Sequence, residues 1–315
     1  MATDLAIDVR GLRKAYGPVE AVRGIDLRVA PGEIFALIGP NGAGKTTTVE
    51  ILEGFRSRSS GEVNVLGHDP ARNERAYKER IGIVLQSTAM DPYLNVEEVI
   101  DLFRGYYPHP RPLDEVIDVV GLTEQRRTLV RRLSGGQQRR LDVAIGLAGD
   151  PELVFLDEPT TGFDPSARRA AWSMVRNLQS MGKTVFLTTH YMDEAQELAG
   201  RVALINEGLI VAEGRPDELT SQSGGTLITF RSDGAELPGE LQSAARTENG
   251  RVVIETREPT QALHQLTAWA IERNTELTDL SVTRSTLEDV YLALTSTAKQ
   301  SENVEIGLPK RGRRR

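Results

Sequence analysis

The chain has 315 residues, enough for two domains with separate cores, and carries 45 acidic against 38 basic residues for a formal net charge of −7. It contains no cysteine, which excludes disulfides and thiolate metal sites, and its four histidines lack the short spacings of a zinc site. The acidic balance and a mean hydropathy of −0.32 suit a soluble protein and argue against general nucleic-acid binding.

The opening stretch Met1–Arg10 mixes Asp4, Asp8 and Arg10 with apolar residues and shows no signal-peptide core. No apolar run approaches the ~20 residues that span a bilayer, so a membrane role is expected to come through a partner. Residues 5–10 and 25–30 alternate apolar and polar, as half-buried strands do. Ile34-Phe35-Ala36-Leu37-Ile38 is wholly apolar and stops at Gly39, the pattern of a buried strand feeding a glycine-rich loop. That loop, Gly39-Pro40-Asn41-Gly42-Ala43-Gly44-Lys45-Thr46, is a complete G-x-x-x-x-G-K-[ST] motif, and a helix is expected from Thr46 to Phe55. From Gln86 to Asp150 the pattern turns helical, with Asn95 and Glu98 spaced as a capping box and three prolines, Pro108, Pro110 and Pro112, breaking the run. This predicts a helical subdomain, about 87–150, inserted into an α/β core.

Inside it, Leu133-Ser134-Gly135-Gly136-Gln137 precedes a helix. The apolar run Leu153-Val154-Phe155-Leu156 then ends in Asp157 and Glu158, a helix is expected from Ser166 to Met181, and a second buried strand, Val185–Thr189, ends at His190. The composition shifts at Ser221-Gln222-Ser223-Gly224-Gly225, a linker by its residues. Beyond it Thr226–Arg231, Arg251–Thr256 and Leu277–Thr283 read as strands, and Pro259–Arg273 and Thr286–Thr295 as helices. Ser285 with Glu288 is expected to cap the latter, and Leu287, Val290, Tyr291 and Leu294 to form its apolar face. The order of elements predicts a small α+β domain of ferredoxin-like type. The tail Lys310–Arg315 is basic; a solvated end is one reading, contact with anionic lipid the other.

The motifs carry a consistent chemistry. Glycines let backbone N–H groups wrap a β-phosphate, and the following helix N-terminus favours its charge. Lys45 would reach the β- and γ-phosphates and Thr46 would hold Mg²⁺. Asp157, where a buried strand emerges, is placed to support the Mg²⁺. Glu158, expected on the other face of an extended chain, is better placed as the general base that polarises the attacking water. A lone histidine is more often structural, but His190 would share the carboxyl edge of the sheet with Asp157. The pentad at Ser134 offers a second set of phosphate-directed N–H groups, too many for one chain to aim at one nucleotide, so two copies are expected to share each ATP.

These elements, in this order over residues 5 to about 220, resemble the nucleotide-binding subunit of ATP-binding-cassette (ABC) transporters. The resemblance implies a P-loop ATPase core (residues 1–220), with a C-terminal accessory or dimerisation domain (221–300) and a disordered tail (301–315). It places Tyr16 on adenine and Gln86 beside Mg²⁺ and the attacking water. Gly39, Pro40, Asn41, Gly42, Ala43, Gly44, Lys45, Thr46 and Thr47 would hold the phosphates. Ser134, Gly135, Gly136 and Gln137 would meet the γ-phosphate of the opposite subunit, Asp164 would cross between subunits, and His190 would sense the γ-phosphate. Phe163 stands where the family usually has Leu. The extra C-terminal domain and Leu287-Glu288-Asp289-Val290-Tyr291-Leu292 are similar to exporter ATPases of the daunorubicin-resistance type.

The function this implies is an ATP-hydrolysing homodimer at the cytoplasmic face of the membrane, driving a separate integral-membrane permease for drug efflux, or for lipid or polysaccharide. Ribosome-bound factors and DNA-repair ATPases share such a core, but usually as two cassettes in one chain or with coiled-coil or zinc insertions, and neither feature is present. A nucleotide-binding module without turnover is argued against by Glu158.

Overall fold

A computed structural model describes residues 5–84, 90–222, 225–231, 237–248, 250–292 and 294–295. Gln86 and the basic tail lie outside the described residues. In chain order the first elements are β1 (Ile7–Tyr16), β2 (Val19–Val29), β3 (Ile34–Ile38), α1 (Lys45–Leu52), β4 (Ser60–Val65), α2 (Arg75–Lys78) and β5 (Ile81–Val84). The helices α3 (Val96–Arg104), α4 (Leu113–Val119) and α5 (Gly135–Leu147) follow, then β6 (Leu153–Asp157), α6 (Pro165–Ser180), β7 (Thr184–Thr189), α7 (Met192–Leu198), β8 (Arg201–Asn206) and β9 (Leu209–Gly214).

Six of these strands form one sheet in the order β5-β6-β7-β3-β8-β9, parallel except for β9 at the edge. Every residue of β3 and β7 is buried, as expected of central parallel strands covered on both faces. A three-stranded antiparallel sheet, β2-β1-β4, adds the second layer. Ile7, Val9 and Leu27 from that layer share a core with Phe35, Leu37, Val49 and Leu52. The expected strands at 5–10 and 25–30 are parts of one longer hairpin, whose alternation is interrupted by register shifts near Val9, Leu12 and Lys14.

The helices α3, α4 and α5 fall between the adjacent parallel strands β5 and β6, so the helical subdomain is an insertion in the sheet. Its first helix is capped as the spacing predicts. The Asn95 side chain accepts from the Glu98 N–H, and the Glu98 carboxylate accepts from the Asn95 N–H, both at 2.9 Å.

The chain divides into two compact units between Arg215 and Pro216. Ser221 and Gln222, read from sequence as linker, belong to a helix, α8 (Pro216–Gln222). The second unit continues with β10 (Thr226–Arg231), α9 (Gly239–Ala244), β11 (Ala245–Glu248), β12 (Arg251–Thr256), α10 (Pro259–Glu272) and β13 (Thr278–Arg284). Its sheet runs β11-β12-β10-β13, with every pairing antiparallel, which is the βαββαβ arrangement of ferredoxin-like domains. Ile228, Phe230, Ile254, Leu266 and Trp269 fill its core. Residues 287–292 are helical, but the cap differs from the expected Ser285–Glu288 pair. Thr286 and Asp289 exchange the capping bonds instead, while the Ser285 hydroxyl donates to the Gly225 carbonyl. Leu287 and Val290 are buried, whereas Leu294 is exposed and leaves the expected apolar face.

Candidate active site

Three central strands deliver the site to one edge of the sheet. β7 lies between β6 and β3, with Asp157 level with Thr188 and Ile38 level with Thr189. The segments that follow begin with Glu158, His190 and Gly39, so all three start at the carboxyl edge, where open α/β sheets bind ligands.

The phosphate loop is shaped by glycines that no other residue could replace. A Cβ at Gly39 would lie 2.2 Å from the Ile205 carbonyl oxygen, and one at Gly44 would lie 2.5 Å from that of Ala21. Gly44 also sits at φ 108°, a left-handed backbone, as the N-cap of α1. The loop closes on itself through the Ala43 N–H, which donates to the Pro40 carbonyl at 3.2 Å. Lys45 is 5% exposed, and its ammonium donates to the carbonyls of Gly39 at 2.7 Å and Pro40 at 3.2 Å. Burial lowers its pKa, opposed by Glu158 and Asp157. Asn41, Gly42, Gly44, Lys45, Thr46, Thr47, Ala21 and Glu158 line one hollow of about 380 Å³.

The two carboxylates after β6 part company in the backbone. Asp157 ends the strand and accepts a hydrogen bond from the Thr188 hydroxyl. Glu158 has φ 45°, so it is a left-handed turn and not the continuation of an extended chain that the sequence led us to expect. Its N–H donates to the Thr188 carbonyl at 3.1 Å. Its side chain, 13% exposed, is 3.7 Å from the Lys45 ammonium and 3.3 Å from Nδ1 of His190, and it accepts from the Thr161 hydroxyl at 3.1 Å. The His190 ring lies against Tyr191, tilted by 39° with centroids 4.0 Å apart. Lys45, Glu158 and His190 are therefore one cluster.

Ser134, Gly136, Gln137 and Asp164 gather elsewhere. They line a second hollow of about 310 Å³ with Phe163 and Ser166, and none of its lining residues belongs to the phosphate-loop hollow. Ser134 caps α5, accepting from the Gln137 N–H at 3.3 Å while Gln137 returns a bond to the Ser134 N–H, and Gly135 is exposed beside it. Asp164 caps α6 through the N–H groups of Ser166 and Ala167. Tyr16 stands at the end of β1, 40% exposed, with the Lys14 ammonium 5.0 Å and the Arg56 guanidinium 5.3 Å from its ring centroid.

Sequence reasoning overlooked four neighbours of the cluster. Thr188 and Thr161 hold the two carboxylates, Ala21 lines the phosphate hollow, and Arg139 reaches the β6 end from α5. The polar pair Thr188-Thr189 at the end of an apolar strand was a usable signal; Ala21 and Arg139 carried none.

Fold and site together define an ATP-binding cassette: a P-loop nucleotide site on a parallel sheet, a helical insertion, and a glycine-rich helix start lining a hollow separate from that of the chain's own phosphate loop. The family model of the ABC transporter matches residues 22–161, and that of the ABC transporter domain-containing protein-like, C-terminal domain matches residues 228–286. The daunorubicin resistance ATP-binding protein DrrA3 of Streptomyces coeruleorubidus is 38% identical, over 93% of this chain and 96% of its own. The Nod factor export ATP-binding protein I of Paraburkholderia xenovorans is 35% identical, over 94% and 99%. Among solved structures, cbiO1 from Clostridium perfringens, part of an ABC transporter complex, aligns with a TM-score of 0.62 at 27% identity over 70% of this chain and 92% of that one. A cassette solved as a dimer with ADP and Pi aligns at 0.59 and 24% identity, over 66% and 98%, and shares the fold. The chain belongs to the ABC transporter family, as one of its ATP-binding, ATP-hydrolysing subunits. Among the described residues no helix is long and apolar enough to cross a membrane.

Proposed function

We propose that two copies of this chain close on two ATP molecules and drive a separate permease at the cytoplasmic face of the membrane, in the export of drug-like molecules. The observation that carries the shared-site reading is the separation of the two hollows: Lys45 and Glu158 line one, Ser134 and Asp164 the other. One nucleotide bound at the phosphate loop meets a Ser134 only if a second chain supplies it. The drug reading rests on relatives named for daunorubicin resistance; a relative named for Nod factor export keeps a cargo other than a drug in view.

In this reading the phosphates replace the Gly39 and Pro40 carbonyls as partners of Lys45, a charge-assisted exchange that needs little motion of a buried side chain. Tyr16 stacks on the base once Lys14 or Arg56 yields a ring face. Thr46 and Asp157 would hold Mg²⁺, which when bound neutralises charge on the β- and γ-phosphates. No group of three or more His, Cys, Asp or Glu able to hold a metal occurs among the described residues. Glu158 takes the proton of the attacking water, and His190, 3.3 Å from it, registers the γ-phosphate. Loss of that phosphate removes the contacts that hold the closed pair.

Glu158→Gln keeps the shape and removes the base. ATP binding is expected to survive while turnover falls roughly 10²- to 10⁴-fold, and the protein should accumulate as a dimer on size exclusion with Mg-ATP. A monomer with near wild-type phosphate release would rule Glu158 out. For the basic tail both readings stand, a solvated end and an added tether to anionic lipid. Removing residues 310–315 should weaken sedimentation with anionic vesicles at low salt, and equal binding would leave the tail a solvated end.

A further inference from the structure

We infer that Arg139 is a positioning residue for Glu158, fixing the turn that aims its carboxylate; the inference rests on the reading of Glu158 as the base. Arg139 lies in the second turn of α5, the helix that Ser134 caps, and is 7% exposed. Its Nε donates to the Pro159 carbonyl at 3.3 Å and its Nη2 to the Asp157 carbonyl at 3.2 Å. Those two carbonyls flank Glu158 in the chain. A single guanidinium therefore grips the backbone on both sides of the residue whose φ is 45°.

A non-glycine residue in the left-handed region is disfavoured, and it persists only where its surroundings over-determine it. Around Glu158 the Thr161 N–H and hydroxyl supply local restraints, and two elements distant in the chain add theirs. β7 supplies the Thr188 carbonyl to the Glu158 N–H, and α5 supplies Arg139 to the carbonyls before and after it. Without the α5 restraint the Pro159 carbonyl loses its guanidinium partner and the Asp157–Glu158 peptide is held by Thr188 alone, so the carboxylate is aimed less firmly at Lys45 and His190. Burying a guanidinium carries a desolvation cost, which the Asp142 carboxylate 3.7 Å away reduces. The planar fork suits Arg to this task. Lysine keeps the charge but is a point charge on a flexible stem, without the rigid fork that matches two carbonyls two residues apart.

The same helix begins at Ser134 and Gly136. Arg139 thus ties the base of one hollow to the helix whose start lines the other, within one chain.

The test uses the full-length chain with Arg139→Lys, Arg139→Ala, Glu158→Gln and the Arg139→Lys/Glu158→Gln double variant. Arg139→Lys should fold, bind ATP in EDTA within about twofold of wild type, and lose kcat by roughly ten- to hundredfold. Arg139→Lys should add no further loss to Glu158→Gln in single-turnover hydrolysis, because an amide cannot act as base wherever it points. Equal fold-losses in both backgrounds, or wild-type kcat in Arg139→Lys, would overturn the inference. Should Arg139→Ala fail to fold, Arg139→Lys carries the decision. Near wild-type hydrolysis by Glu158→Gln alone would instead fault the base assignment, which separates the two failures.

Discussion

Glu53 closes α1 and is 5% exposed, and burial, reinforced by the charges of Asp157 and Glu50, pushes its pKa up to about 8. The negative end of the α1 dipole acts in the same direction. Unfolded, the group loses its proton near its ordinary value of 4.5; folded, it keeps the proton to about pH 8. Across that window the folded chain holds one proton more, so raising the pH removes stability. The melting temperature should fall between pH 5 and 8 by more than in Glu53→Gln, with a difference on the order of 1 kcal/mol or more, and parallel pH profiles would show that Glu53 is ionised when folded. Single residues of this kind mark the limit of what sequence reveals. Lys45 and Thr46 were legible in position because a loop motif fixes their place by spacing alone. Glu158 was legible as a carboxylate beside Asp157, but its left-handed turn was not, because groups distant in the chain, the Thr188 carbonyl of β7 and Arg139 of α5, bond the backbone around it. Arg139 was illegible for the same reason: an arginine in a helix reads as solvated until the fold buries it.

At the scale of elements, legibility followed how local the determining interactions are. β3, β10 and β12 fall where apolar patterning places them, since burial on the sheet is written in consecutive residues. β11, Ala-Arg-Thr-Glu, has no apolar alternation and is a strand only because β12 pairs with it, so the second unit was read without its hairpin. Capping illustrates the same division. Asn95 and Glu98 satisfy each other's N–H groups without help, whereas at the last helix the Ser285 hydroxyl is drawn to Gly225, sixty positions away, and the cap moves to Thr286 and Asp289. The Asn95 cap can be tested directly. Asn95→Ala leaves the Glu98 N–H without its partner and should cost about 1 kcal/mol of stability in a urea titration. ATP affinity should not change, because no phosphate-loop residue contacts this cap; an unchanged midpoint would mean that water replaces the asparagine at no cost.

For the whole molecule the decisive arrangement is the separation, in one chain, of the two hollows that the proposed dimer would bring together. A chain that kept both halves at one nucleotide would be disabled once by either of two mutations, and mixing the two mutants would repair nothing. With shared sites the outcome differs. Lys45→Ala removes the phosphate cation from a chain's own loop, and Ser134→Arg fills the helix start offered to the partner. In a mixed dimer one composite site combines the defective loop with the defective helix start, and the other combines an intact loop with an intact helix start. Two inactive preparations should therefore regain ATP turnover on mixing, approaching the activity of one site in the fraction of dimers that are mixed. Ser134→Arg alone should still bind ATP as a monomer, since its own loop, Gly39 to Thr47, is untouched. No recovery across mixing ratios, with dimer exchange verified by a labelled chain, would refute the shared site, as would loss of ATP binding by the Ser134→Arg monomer. Recovery to full wild-type turnover would mean that one composite site suffices for the rate of two, and that the sites fire in turn and not independently.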